Sequence, residues 1–120
     1  MKYIILLLAF PVLMQTNPGV EWLTPIEHDF GDVMQRQPVE YLFEFKNTSG
    51  DTMLIDNVRT TCGCTTPDWT YEPIAPDSTS QIRVVYDAKK KGYFKKKIKV
   101  YFSNQRKKTI LRIKGYVEGM

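Results

Sequence analysis

Two cysteines, Cys62 and Cys64, and one histidine, His28, are all that this 120-residue chain offers of the side chains that most often bind metals or act as activated nucleophiles. Two cysteines are too few for a disulfide-built miniprotein, and tetrahedral zinc needs four ligands, of which only three could be found here. G-x-S-x-G, H-E-x-x-H and glycine-rich phosphate loops are missing, and with them the usual signs of a hydrolase, a zinc protease or a nucleotide site. No window shows the 3.6-residue periodicity of a helix. No apolar run reaches the roughly 20 residues that a bilayer-spanning helix needs. The length leaves room for one domain, so a hydrophobic core must hold it.

Basic residues are scarce over the first two thirds of the chain. From Met1 to Ser80 there are four of them against eleven acidic residues, a balance of −7, and from Gln81 to Met120 thirteen against two, a balance of +11. Seven lysines fall within "KKKGYFKKKIK", Lys89 to Lys99. Such a cluster suits an anionic partner, with Lys95, Lys97 and Lys99 as the candidate patch. It equally suits a solvated hairpin whose lysines guard a strand edge. No nucleic-acid module motif accompanies the charge, so nucleic acid is not the expected partner.

What is present at the N-terminus is "MKYIILLLAFPVLMQT", one lysine followed by an uncharged run from Tyr3 to Gln15, the layout of a signal peptide. Residues 1–16 are therefore expected to be a signal peptide and 17–120 the mature domain, periplasmic or secreted, with no stable membrane insertion once the signal is removed. No cysteine ends the apolar run to take a lipid.

The rest of the chain alternates with the period of a strand. "VEYLFEFKN" sets Tyr41, Phe43 and Phe45 against Leu42, Glu44 and Lys46, and "QIRVVYD" turns Ile82, Val84 and Tyr86 inward. "KIKVYFS" and "ILRIKGYV" do the same with Ile98, Val100, Phe102, Leu111, Ile113 and Val117, leaving Lys97, Lys99, Arg112, Lys114 and Tyr116 outward. "VEWLTPIEHDFGDV" reads as one edge strand, because Pro25 has no N–H for a central ladder. In "TMLIDNVRT" Leu54 and Val58 keep phase and Ile55 breaks it, which a bulge near Asp56 would reconcile. Turn signals at "NTSGD", "PDST", "KKG" and "SNQRKK" separate the strands. The pattern is that of an all-β sandwich or barrel of six or seven short strands.

Four segments, "RTTCGCTTPDW", "EPIAPDSTSQIRVVYD", "KGYFKKKIKVYFSN" and "LRIKGYV", together resemble the bacterial domain-of-unknown-function family 1573 over roughly Phe30 to Val117. The resemblance implies an immunoglobulin-like β-sandwich of about seven antiparallel strands, related to the Hydin and major-sperm-protein type, exported and without assigned activity. Two features depart from the family: Asp77 stands where it tends to have glycine, and the lipid-attachment cysteine of many relatives is missing.

For Cys62 and Cys64 three readings compete: a disulfide or redox pair, two packed thiols, and a soft-metal site for an ion such as Cu(I). A disulfide across one glycine closes so small a loop that it is worth only about 1.5 kcal/mol. Residues i and i+2 of a regular strand lie about 6.6 Å apart, near the limit for a disulfide, so bonding requires a bend, which Gly63 allows by taking positive φ. The pair is thus expected at a turn on the rim, with Gly63→Val opposing closure. His28 alternates with Ile26 and Phe30 and is expected to pack. Trp22, Trp69, Tyr71 and Tyr93 are expected in the core and rim rather than as a binding platform. Asn47-Thr48-Ser49 matches the glycosylation acceptor pattern, of little weight in a bacterial protein. No cofactor and no catalytic residue is expected. The functional expectation is a non-enzymatic interaction module for a protein or cell-envelope component, and the alternative is a thiol-dependent redox or Cu(I)-handling protein.

Overall fold

The computed structural model describes residues 19–119, so the expected signal peptide lies outside the described residues. Eight strands run in order: β1 (Val20–Trp22), β2 (Glu27–Met34), β3 (Val39–Asn47), β4 (Ile55–Thr60), β5 (Thr65–Trp69), β6 (Thr79–Tyr86), β7 (Gly92–Phe102) and β8 (Thr109–Glu118). They form two four-stranded sheets with strand orders β1-β3-β6-β5 and β2-β8-β7-β4. The alternating apolar residues fill the space between the sheets, where Phe43, Ile82, Val84, Ile98, Val100, Leu111, Ile113 and Val117 are completely buried.

Three expectations are corrected. "VEWLTPIEHDFGDV" is two strands in different sheets, β1 and β2, with Pro25 in the crossing between them. The proline does suit an edge, because both strands are edges, but it marks where the chain changes sheet. β2 pairs in parallel with β8, so the sandwich is not wholly antiparallel. Leu54 is 39% exposed, while Ile55 and Val58 are buried. The register shift between Ile55 and Asn57 is the bulge that lets residues three apart face the same side.

The lysines of β7 do not stand on a simple edge strand. β8 pairs with β7 along most of its length, whereas β4 covers only Ile98 to Phe102. Beyond that point one flank of β7 is open, and alternation turns Lys96 toward the interior beside Phe94 and Ile98, half-buried. An inward-pointing charge on an open flank opposes pairing with another chain, so the edge-guarding role belongs to Lys96 as well as to its outward neighbours.

Loops at one end of the sandwich are tied together by Asn47. Its completely buried side chain donates from Nδ2 to the carbonyl oxygens of Asp51 (2.7 Å), Ile74 (3.0 Å) and Ala75 (3.2 Å). Its Oδ1 accepts from the Ser49 N–H at 3.0 Å and the Ser49 hydroxyl at 2.7 Å. An amide so engaged is no glycan acceptor, which overrules the sequence pattern.

Candidate functional site

Two places gather the residues singled out by the sequence: the turn from β4 to β5, and the outer face of the β2-β8-β7-β4 sheet.

At the turn, Cys62 and Cys64 are joined in a disulfide with a Cα separation of 5.2 Å, shorter than the roughly 6.6 Å of a regular strand because the chain bends between them. The Cys64 N–H donates to Cys62 Sγ at 3.2 Å, and the Thr60 hydroxyl lies 3.2 Å from the Cys62 carbonyl and 3.1 Å from that of Thr65. Both cysteines are half-buried, and Cys64 packs against the core. Gly63 does not use a left-handed φ, and a β-carbon there would meet nothing within 4 Å. The bend therefore needs neither glycine's conformational range nor its small size, which corrects the expectation for Gly63→Val. His28 belongs to β2 and the cysteines follow β4, the opposite edges of one sheet, three strand spacings or about 14 Å apart. Among the described residues no three His, Cys, Asp or Glu side chains cluster where they could hold a metal ion. As a disulfide the pair presents no thiolate to a soft ion, and His28 stands at the far edge of the sheet from it.

His28 packs as expected, stacked on Tyr41 with ring centroids 3.8 Å apart and edge-on to Phe30 at 4.6 Å. Burial holds its imidazole below the ordinary value, with Asp29 acting weakly the other way. Trp22 packs on Phe45 and Phe102, and Trp69 on the core and Tyr71. Tyr71 and Tyr93, by contrast, are 78% and 88% exposed, so the expectation that all four aromatics pack fails for these two.

The outer face of β7 and β8 is built by their antiparallel register, which sets Tyr93 opposite Tyr116, Lys95 opposite Lys114, and Lys97 opposite Arg112. Lys99 continues the row, with Arg59 of β4 opposite it. Candidate residues Lys95, Lys97 and Lys99 thus belong to a wider basic stripe that the sequence reading did not assemble, although alternation had already turned Arg112 and Lys114 outward. Lys114 Nζ lies 2.9 Å from Glu27 Oε2, an ion pair that holds the Glu27 carboxyl below and the Lys114 ammonium above their ordinary values. Among the described residues the only other ion pair, Arg83 with Glu40, is on the opposite sheet.

At one end of the stripe opens a groove of about 690 Å³, lined by the outer surfaces of β2, β7 and β8. Tyr93 and Tyr116 meet edge to face there, with ring centroids 4.8 Å apart. Its acidic wall comes from a bulge in β2: Asp29 pairs with Lys114 and Asp32 with Tyr116, three residues against two, so both carboxylates follow outward-facing partners. Gly31 in this bulge has a φ of 69°, and the Asp29 carboxylate accepts its N–H at 2.8 Å. A β-carbon on the buried Gly115 would come within 2.8 Å of the Phe94 ring and 2.9 Å of the Gly31 carbonyl oxygen, so the absence of a side chain there lets the bulge approach β8.

This architecture is that of known immunoglobulin-like domains. A protein of unknown function from Porphyromonas gingivalis W83 superimposes with a TM-score of 0.70 at 18% identity, over 89% of this chain and 50% of that one, so the chain spans half the length of that relative. The ASH/PapD-like domain 7 of human CEP192 gives 0.69 at 8% identity, over 100% of this chain and 99% of that one. WR4, a major-sperm-protein family member from C. elegans, gives 0.56 at 8% identity, over 84% of this chain and 99% of that one. No curated protein matches in sequence. The chain belongs to the family described as "Protein of unknown function (DUF1573)", which matches residues 22–117.

Proposed function

We propose that this chain is an exported, non-enzymatic interaction module, working in the periplasm or outside the cell, that holds a protein or cell-envelope component on the outer face of its β2-β8-β7-β4 sheet. The observation that carries the reading is the exposed Tyr93–Tyr116 pair beside the groove: two large rings stand in solvent at the end of a basic stripe, on a sandwich whose other large aromatics mostly pack inward. Tyrosines of this kind supply contact area at little entropic cost, the usual anchors of a binding surface. The test is to place a photo-crosslinking amino acid at Tyr93 or at Glu44, on the opposite sheet, in cells that make the full chain. Adducts from position 93 alone support the reading, and equal adducts from both positions, or none, overturn it. The mass of the same recovered protein checks export, with removal of about 16 residues as the expected result.

A further inference from the structure

Resting on that reading of the face, we infer that the groove and the basic stripe bind an acidic polysaccharide, with a sugar ring against Tyr93 and Tyr116 and its acidic groups along β7 and β8. Three observations lead there. First, Lys97 faces Arg112 directly across neighbouring strands, and Lys95 faces Lys114, whose charge Glu27 already pairs. Like charges in that position repel and weaken a sheet, and a bound anion relieves the repulsion. Second, beside the groove the stripe is narrow, two strands or about 10 Å wide before Arg59 of β4 joins it at Lys99, and the acidic residues Glu27, Asp29 and Asp32 of β2 run beside it. A flat anionic membrane would press its phosphates on those carboxylates as well as on the lysines, whereas a single chain of sugars can follow β7 and β8 alone. Third, the groove combines the groups that sugars use: exposed aromatic rings, carboxylates that accept hydroxyl hydrogens, and the ammonium of Lys95 for a carboxylate or phosphate.

Asp32 separates this proposal from simple attraction between opposite charges. If the face merely collects polyanions, removing the negative charge of Asp32 strengthens binding. If Asp32 takes hydroxyl hydrogens from a sugar, the same change weakens it. The experiment is calorimetric titration of the mature chain with a hexamer of polygalacturonate, with inorganic polyphosphate and phosphatidylglycerol vesicles as alternative anions that carry no sugar rings. Binding of the hexamer is expected to fall about tenfold in each of Tyr93→Ala, Asp32→Asn and the double variant Lys95→Gln/Lys97→Gln, one contact's worth of affinity in each case. It should also weaken with added salt, as exposed charges are screened. Circular dichroism of the variants confirms that they are folded. No binding of the hexamer, tighter binding by Asp32→Asn, or binding to vesicles or polyphosphate alone overturns the sugar inference. Crosslinks from position 93 that persist in any of those outcomes leave the binding face standing and remove only its ligand class, whereas loss of the crosslinks removes both.

Discussion

Asn47 shows how much one side chain can hold in this fold. Its amide satisfies three carbonyl oxygens from two loops and accepts twice from Ser49. Asn47→Asp puts a carboxylate against those three carbonyls and removes both donors. The expected cost is about 3 kcal/mol, the upper part of the range for stranding buried polar groups. Thermal unfolding should show it as a fall of more than about 10 °C. Asp77 is informative in the other direction: its φ of 64° is left-handed backbone, which glycine takes most readily and aspartate tolerates. His28 makes stability depend on pH. Because burial lowers its folded value below the ordinary one near 6.5, the unfolded chain takes up the proton first, and stability falls as the pH drops from about 6.5 toward that lower value. His28→Phe keeps a ring on Tyr41 without the titration. Denaturant midpoints at pH 7.5 and 5.5 should therefore separate more for the wild type than for this variant.

At the scale of elements, the outward and inward faces of strands predict opposite responses. Phe43 is completely buried in β3, so Phe43→Ala should cost about 3–5 kcal/mol, while Lys97→Ala on the outer face of β7 should stay within about 0.5. Equal denaturant midpoints for the two would overturn the assignment of faces. The contact of β2 with β8 depends on a different element, the bulge at Gly31. Gly115→Ala brings a methyl group against the Phe94 ring and the Gly31 carbonyl, and the backbone oxygen cannot give as a flexible side chain would. Faster amide exchange in β2, with β3 and β6 unchanged, is the expected result. These strands were readable because alternation has period two, whereas the division of "VEWLTPIEHDFGDV" between two sheets leaves no mark in that period.

At the scale of the molecule, the two sheets differ in net charge, with four acidic against two basic residues in the strands of one and five against seven in the strands of the other. The β1-β3-β6-β5 sheet carries Glu21, Glu40, Glu44 and Asp68 among its exposed residues, and the opposite sheet carries the basic stripe. Repulsion between Lys97 and Arg112 predicts that Lys97→Glu stabilises the fold by about 0.2–1 kcal/mol, the range for an opposite-charge cross-strand pair. Salt should raise the melting temperature of the wild type and leave this variant less affected, because screening removes repulsion in one and attraction in the other.

Periodicity and turn residues determined by themselves an all-β sandwich or barrel, most of the residues that fill its core and the outward side of Lys97 and Lys99, and the resemblance carried by the segments around Cys62 and Cys64 implied the immunoglobulin-like type. Each of those properties is local to a strand or a turn. Only the tertiary structure decided that Tyr93 meets Tyr116 and that Asp29 and Asp32 both flank them, since these depend on the β7–β8 register and on the bulge that shifts β2 against β8. It also decided that Asn47 is a buried tie and that the flank of β7 beside the inward-pointing Lys96 is open. Pairing between distant segments is set by how whole strands fit one another, and a single strand's pattern contains its own faces but not its neighbours.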